Sequence, residues 1–403
     1  MPQKTIDYSK LYAKDLPPAA GPWEGIYPYN FVTGHGDPGL IPVEGFIESI
    51  TNALKKDGRK LAVYYSDGGP MGNLELREFL VKKLKKFRGI DVTVDEVMIC
   101  SGSTQCILLI NETLLEPGDT IITELFSYSG AIRNAKKCKA NVIGVPLDDE
   151  GMRVDLLEST LKDLDSKGIK PKYIYTIPTC QNPTGTNLPM DRRREMLRIS
   201  QEYGVPIFED ECYADLIFDG EWDPAIRSLD DTNHVLHIGS FSKSLAPGVR
   251  LGYIVAPKDV MNQMIVSKTD VGTNMITPLM VAGFLENNYE EHIETVRDML
   301  HRKRDVLVAS MREQFGPTVE FYEPRGGMVM WFKFPEGVDT SIPLEAAKKE
   351  GLIYNPGAEW SADPENHGSN YIRICYGLPS ENEIRDGVAI LAKVFQKEIG
   401  ITR

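Results

Sequence analysis

The chain has 403 residues, of which 45 are Lys or Arg and 58 are Asp or Glu, so its net charge near neutral pH is −13. An apolar share of 42% and a charged share of 26% are typical of a folded globular protein, and they exclude disordered, collagen-like and coiled-coil chains. The negative balance argues against nucleic-acid or anionic-membrane partners and fits a cytoplasmic protein.

The cysteines give no metal signal, and the N-terminal segment gives no secretory signal. Six cysteines form no C-x-x-C pair, so we expect reduced thiols and no metal site. The N-terminal segment lacks the apolar core of a secretory signal, and no run of about 18 apolar residues could span a membrane.

The first elements in chain order are an arm and two helices. Residues 1–43, rich in Pro, Gly and aromatic residues, predict an extended arm. From about residue 44, apolar side chains recur at helical spacing, with Phe46 and Ile50 on the same face. A second helix is predicted over 74–87, and its basic residues are interpreted as a solvated face: Lys82, Lys83, Lys85 and Lys86.

Short apolar runs then alternate with helical patterns. Strands are predicted at 97–100, 120–123, 141–146, 172–177, 205–210, 234–240 and 251–257. This alternation predicts an α/β fold, a mostly parallel sheet with helices on both faces. A helical stretch over 258–315, followed by strand runs up to residue 377, predicts a smaller α+β domain. We therefore expect an arm (1–43), a large α/β domain (44–290) and a small C-terminal domain (291–403).

One glycine motif is misleading. Residues 34–39, GHGDPG, match the G-x-G-x-x-G pattern of dinucleotide-binding loops. That pattern requires a strand before it and a helix opening at its last glycines, and Pro38 and Pro42 oppose such a helix. We interpret the segment as a turn-rich loop.

The strongest chemical signal is the segment 239–253, GSFSKSLAPGVRLGY, directly after a predicted buried strand. A partly desolvated lysine such as Lys243 has a lowered pKa and can react as an imine-forming amine. The hydroxyls of Ser240 and Ser242, together with Arg250, could hold a phosphate group.

This segment resembles the Schiff-base segment of fold-type I pyridoxal-phosphate (PLP) enzymes. Among these it is most similar to class I/II aminotransferases of the 2-aminoadipate/kynurenine branch, and the resemblance runs from about residue 31 to the C-terminus. It implies an aspartate aminotransferase-like fold, PLP bound as an internal aldimine of Lys243, and a phosphate site that includes Ser240, Ser242 and Arg250. It also implies a homodimer with the active site at the subunit interface.

Two further motifs follow predicted strands. Residues 182–185, NPTG, are similar to the family motif whose asparagine bonds the phenolic oxygen of PLP and approaches the substrate carboxylate, which implies these roles for Asn182. Residues 208–213, FEDECY, imply that Asp210 keeps the pyridine nitrogen protonated and that Tyr213 bonds the phenolic oxygen. We interpret Cys212, where relatives often have Pro or Ala, as a neutral change, and Glu209 and Glu211 as structural or solvated.

The phosphate end of the cofactor is implied by residues 101–105, SGSTQ, where a strand turns into a helix. A helix N-terminus offers free N–H groups and a positive dipole end. Ser103 and Thr104 match the phosphate-binding pair of the family, and Tyr128 matches the tyrosine that stacks on the cofactor ring.

The remaining correspondences concern the substrate and the partner subunit. Arg373, in YIRI, matches the arginine that binds the substrate α-carboxylate, and Gly34 matches a glycine of the arm that contacts substrate. Tyr65 matches a tyrosine that reaches the neighbouring subunit's phosphate, although its spacing to Gly72 is two residues longer than usual. At His35 the arm departs from the usual G-G-x-P, and we favour an exposed loop residue over one that faces the pocket.

The resemblance therefore implies an aminotransferase that moves an amino group from an L-amino acid (2-aminoadipate, aromatic or broad) to a 2-oxo acid such as 2-oxoglutarate. Lys243 would move the Cα proton as general base and then acid. A lyase, decarboxylase or oxidase using the same site is the alternative. A PLP-sensing transcription regulator is disfavoured, because the arm leads into the catalytic fold within about 40 residues.

Overall fold

The computed structural model describes residues 5–14, 16, 19–22, 25–64 and 68–401. Its helices are α1 Val43–Asp57, α2 Leu74–Arg88, α3 Ser103–Leu114, α4 Ser129–Lys137, α5 Val154–Ser166, α6 Met190–Tyr203, α7 Lys258–Ser267, α8 Ile276–Phe315, α9 Leu344–Lys349 and α10 Glu381–Ile399. Its strands are β1 Tyr29–Asn30, β2 Val97–Cys100, β3 Thr120–Glu124, β4 Asn141–Val145, β5 Leu147–Asp148, β6 Gly151–Met152, β7 Ile174–Thr176, β8 Ile207–Asp210, β9 Val235–Ser240, β10 Gly252–Val255, β11 Glu320–Phe321, β12 Val329–Lys333, β13 Leu352–Ile353, β14 Asn355–Pro356 and β15 Tyr371–Cys375.

Seven strands form the large sheet, in the order β2-β10-β9-β8-β7-β3-β4. Every neighbouring pair is parallel except those of β10, which runs antiparallel to both β2 and β9. Strands β8 and β9 are buried along their whole length, as expected for a sheet covered by helices on both faces. The predicted α/β layer is confirmed.

A second, antiparallel sheet has the order β11-β12-β15-β14 and packs with α8 and α10. This confirms the predicted α+β region. Strand β1 of the arm pairs with β13, so the arm is tied to this region. The expected boundary after residue 290 falls inside the continuous helix α8, and the division of the chain into domains stays a proposal.

The helical stretch predicted over 258–315 is interrupted between α7 and α8. The carboxylate of Asp270 accepts hydrogen bonds from Lys268 Nζ at 2.7 Å and from the Gly272 N–H at 2.9 Å. Gly272 has a φ of 98°, a left-handed conformation that favours glycine and breaks a helix.

The interpretation of the basic run on α2 is wrong for Lys83. Its side chain is only 4% exposed, and its Nζ lies 2.8 Å from Asp215 and over the rings of Tyr253 and Tyr289. Helical periodicity explains the difference, because Lys83 follows the buried Phe79 by four positions and so shares its face. The other three lysines of the run are exposed.

Glu209 and Glu211 are structural, and neither is solvated. The carboxylate of Glu211 accepts two hydrogen bonds from Arg88, both at 2.6 Å. Burial opposes ionisation of Glu211, but the charges of Arg88 and Arg193 hold its pKa below its ordinary value. The carboxylate of Glu209 accepts hydrogen bonds from main-chain N–H groups and lies 2.9 Å from His237 Nδ1.

In the part of the chain that the structure describes, no helix is both long and apolar enough to cross a bilayer.

Candidate active site

Lys243 lies in the turn that follows β9, at the carboxyl end of the central strands. Its Nζ donates a hydrogen bond to the carbonyl oxygen of Gly34 at 2.8 Å. Burial lowers the pKa of Lys243, and the nearby charges of Arg373 and Arg250 lower it further. A larger share of the amine is therefore neutral, which is the nucleophilic form.

Asp210 ends β8, the strand beside β9, and is 4% exposed. Burial raises the pKa of Asp210, an effect that hydrogen bonds from Cys212 and Tyr175 partly offset. Nearby, the side-chain amide of Asn182 donates to the hydroxyl oxygen of Tyr213 at 3.1 Å. The Asn182 Oδ1 atom is buried and has no hydrogen-bond partner among the described residues, so it is free to accept from a ligand.

A candidate anion site lies where β2 turns into α3. Gly102 precedes α3 with a φ of 83°, and no side chain caps this helix end within the described residues. The guanidinium of Arg250 lies beside it, since Nη2 is 3.4 Å from the Ser101 carbonyl oxygen and a Cβ at Gly102 would be 2.6 Å from that nitrogen. Free N–H groups, a helix dipole and an arginine together favour an anion.

The hydroxyl residues predicted for this site lie around it. Ser103 and Thr104 are the first two residues of α3, and the hydroxyl of Thr104 hydrogen-bonds to that of Tyr128. On the β9 side, the Ser242 N–H donates to Ser240 Oγ at 3.1 Å, so the turn before Lys243 is fixed by its own hydroxyls.

Arg373 lies in β15 of the small sheet and is 4% exposed. Its Nη1 donates to Asn355 Oδ1 at 2.8 Å and to the Val32 carbonyl oxygen at 3.3 Å, and its guanidinium lies over the ring of Trp360 at 4.1 Å. The Nε atom is buried without a hydrogen-bond partner among the described residues. The sequence did not predict that Asn355 and Trp360 contact Arg373, because each of them lies in a different element of the fold.

The comparison with known proteins decides the family. The model of "Aminotransferase class I and II" matches residues 43–391. The chain belongs to the class I and II aminotransferases. Aromatic-amino-acid aminotransferase 1 of Thermococcus litoralis is 33% identical to it over 365 residues, which cover 90% of this chain and 86% of that protein.

Solved structures agree. The multiple substrate aminotransferase of Thermococcus profundus superposes with a TM-score of 0.90 at 32% identity, covering 98% of this chain and 99% of that one. LysN, an α-aminoadipate aminotransferase of Thermus thermophilus solved with N-(5'-phosphopyridoxyl)-L-leucine, superposes with a TM-score of 0.85 at 28% identity and covers 92% of each chain. The fold is that of aspartate aminotransferase, as the resemblance implied.

The cofactor of this aminotransferase is pyridoxal phosphate. The residues present fit it. The uncapped end of α3 and Arg250 suit its phosphate, the buried Asp210 suits its ring nitrogen, and the amine of Lys243 suits its aldehyde.

Two predictions on the arm and its surroundings have different outcomes. Tyr65 lies outside the described residues. His35 is half-buried, and burial together with the charge of Lys243 lowers its pKa. The structure thus supports the pocket-facing alternative for His35 over an exposed loop residue.

Gly34→Ala should impair the aminotransferase without unfolding it. A Cβ at Gly34 would lie 2.3 Å from Lys243 Nζ, so the flexible end of the lysine must move. A displacement of about 1 Å at a reacting group can cost about 100-fold in rate, and we expect a loss of that order in kcat. The thermal midpoint should change by no more than about 2 °C.

Gly36→Ala is the matched control, because a Cβ there meets nothing within 4 Å. Both variants are measured for kcat and thermal midpoint. Equal activities would show that the space around Gly34 does not constrain Lys243.

Proposed function

We propose that the protein transfers an amino group from an L-amino acid, of 2-aminoadipate, aromatic or broad side-chain class, to a 2-oxo acid such as 2-oxoglutarate. The activities for which its relatives are named support this range: aromatic amino acids in one, multiple substrates in a second and α-aminoadipate in a third.

One observation carries the proposal. The amine of Lys243 and the guanidinium of Arg373 contact main-chain carbonyls only two residues apart, those of Gly34 and Val32. Two residues of extended chain span at most about 7 Å, so the amine and the guanidinium approach the same short stretch of the arm. A cofactor-holding amine beside a carboxylate-binding group suits an α-amino acid, whose amino and carboxylate groups share one carbon.

The bound cofactor supplies an aldehyde carbon that takes up the amino group and a ring that accepts electrons from Cα. Lys243 holds the cofactor covalently at rest and then moves the Cα proton, first as base and then as acid. Asp210 holds a proton at the ring nitrogen. Arg373 anchors the substrate α-carboxylate, with Asn182 and Gly34 beside it.

The remaining predicted residues hold the cofactor in place. Asn182 and Tyr213 are proposed to bind its phenolic oxygen, and Tyr128 to stack on its ring. The proposed phosphate ligands are Ser103, Thr104, Ser240, Ser242 and Arg250. In the proposed homodimer, Tyr65 of the partner subunit completes this set.

The direct test follows the absorbance of the PLP-loaded protein during anaerobic addition of single amino acids and then of 2-oxoglutarate. We expect the long-wavelength absorption band of the bound cofactor to disappear when an amino acid is added and to return when the oxo acid is added. The amino acids that act would define the side-chain class. Release of ammonia, carbon dioxide or peroxide in place of a second amino acid would contradict transamination and favour a lyase, decarboxylase or oxidase.

Arg373→Lys should weaken substrate binding more than it slows the chemistry. Lysine keeps the positive charge but loses the planar fork that grips a carboxylate with two hydrogen bonds. We expect the KM for the amino acid to rise by about 10- to 100-fold, with a smaller change in kcat. Arg385→Lys, on the exposed face of α10, is the control and should leave both constants unchanged. An unchanged KM in R373K would remove Arg373 from the carboxylate site.

We also propose that the protein forms a homodimer through α1 and its surroundings. None of the 15 residues of α1 is buried, although apolar residues recur along it at positions 43, 47, 50 and 54. Beside it lies a groove of further exposed apolar side chains: Leu61, Val63, Tyr64, Val271 and Ile276. Such a surface favours a second apolar surface over water.

Sedimentation or light scattering at micromolar concentration tests the dimer, and a mass of 45.1 kDa would contradict it.

The six cysteines are free, which suits a reducing compartment and supports a cytoplasmic location.

A further inference from the structure

The side chain of Tyr175, on β7, reaches the acid that we assign to the cofactor's ring nitrogen. In the parallel pairing of β7 with β8, Tyr175 lies opposite Phe208. Asp210 is two residues beyond Phe208 and therefore points to the same face of the sheet. The Tyr175 ring packs edge-on against Phe208 at 5.1 Å, and its hydroxyl donates to Asp210 Oδ2 at 2.7 Å.

A second group holds the other carboxylate oxygen. The main-chain N–H of Cys212 donates to Asp210 Oδ1 at 3.2 Å. The Cys212 thiol also hydrogen-bonds to Asp210 and to Ser103. The Cys212 side chain thus lies between Asp210 and the first residue of α3.

Both members of the Tyr175–Asp210 pair are shielded from water, with Tyr175 2% and Asp210 4% exposed. Burial raises the pKa of Tyr175 well above its ordinary value, so its hydroxyl keeps its proton and remains a donor. Burial alone would favour a protonated Asp210, and a hydrogen bond to its charged form opposes this.

We propose that Tyr175 is a positioning residue for transamination: its hydroxyl holds the Asp210 carboxylate ionised and oriented, so that the carboxylate can keep the ring nitrogen of pyridoxal phosphate protonated. The inference rests on the function proposed for Asp210 above. It assigns Tyr175 no contact with the substrate or the cofactor.

The chain offers a matched control in Tyr173. Its ring also packs edge-on against Phe208, at 5.6 Å, and it is equally buried, but its hydroxyl donates to Asn111 Oδ1 at 2.7 Å. Tyr175→Phe and Tyr173→Phe each remove one buried hydroxyl and keep the ring. A purely structural role predicts the same loss for both.

The measurements are the kinetic constants, the thermal midpoint and the ¹⁵N NMR shift of ring-labelled pyridoxal phosphate bound to each variant. We expect similar falls in midpoint. Only Y175F should lower kcat, by about tenfold with little change in KM, because a hydrogen bond to a buried charged group is lost. Only Y175F should move the ¹⁵N signal towards that of an unprotonated ring nitrogen.

Unchanged kcat and ¹⁵N shift in Y175F, or equal changes in Y173F, would overturn the proposal. Asp210→Asn separates this failure from that of the proposed function. If D210N moves the ¹⁵N signal and Y175F does not, Tyr175 alone is excluded. If D210N leaves the ¹⁵N signal unchanged, the role proposed for Asp210 is itself contradicted.

A measurement on the intact hydroxyl covers the case in which Y175F does not fold. 3-Fluorotyrosine is incorporated at position 175 or 173, and the ¹⁹F signal is recorded before and after loading with pyridoxal phosphate. We expect loading to shift the signal at position 175 and not at 173. No shift at 175, or equal shifts at both positions, would overturn the proposal.

Discussion

Lys243→Ala is expected to lower the rate of transamination by about 10⁴-fold or more, since we propose that this one side chain is both the covalent attachment point and the proton carrier. The phosphate site that we propose at α3 and Arg250 does not involve this amine, so the variant should still bind pyridoxal phosphate non-covalently. Borohydride reduction followed by mass spectrometry separates the two states, because only the wild-type protein should gain the mass of the cofactor.

Ser244→Ala is the control for this variant, as it changes the next residue of the same turn and leaves the amine in place. Its turnover should be close to that of the wild type. A small amine such as methylamine should restore part of the activity of K243A by carrying the proton. Full turnover in K243A without added amine would exclude the assignment of Lys243.

The residues at the ends of strands were predictable because their motifs are local. Asn182 follows β7, Asp210 ends β8 and Lys243 follows β9, and these three strands are neighbours in the parallel part of the sheet. The carboxyl ends of parallel strands meet at one edge, where ligands bind in such sheets. The resemblance to the family singled out Asn182 and Asp210, and the alternating strand and helix patterns predicted only that such strand-end residues lie at one edge of the sheet.

Contacts between distant elements were not predictable. Lys83 lies in a run of lysines whose members look alike, and only the position of Asp215 distinguishes the buried one from its exposed neighbours. Trp360 meets Arg373 because the short 3₁₀ helix Gly357–Trp360, which follows β14, packs against β15. Tyr175 and Asp210 are 35 residues apart, and their hydrogen bond depends on the register of two strands. Periodicity predicts which face a residue occupies but not which partner it meets there.

Asp210→Asn is expected to retain pyridoxal phosphate but to slow proton removal by about 100- to 1000-fold, because a neutral amide no longer holds the ring nitrogen protonated. Single-turnover absorbance measurements with the best amino acid report this step. Asp210→Glu keeps the charge on a longer side chain and should recover part of the rate. An unchanged rate in D210N would refute the role of Asp210.

The same substitution should have the opposite effect on the stability of the cofactor-free protein. Burial raises the pKa of Asp210 in the folded state, so the ionised carboxylate opposes folding. This free-energy cost is absent at a pH below 3.8, the ordinary pKa of an aspartate. It grows as the pH rises from 3.8 towards the raised pKa of the folded state, and it is complete at a pH above that raised pKa. The neutral amide of D210N would not carry the cost.

Cofactor-free D210N should therefore have a higher thermal midpoint than the wild type near pH 7, and the difference should shrink on acidification towards pH 4. Calorimetry across this range tests the sign. Loading with pyridoxal phosphate should narrow or reverse the difference at pH 7, because a protonated ring nitrogen gives the carboxylate a partner. A less stable cofactor-free D210N would contradict the raised pKa. A more stable one would show that the buried charge of Asp210 is kept for the cofactor at the expense of stability.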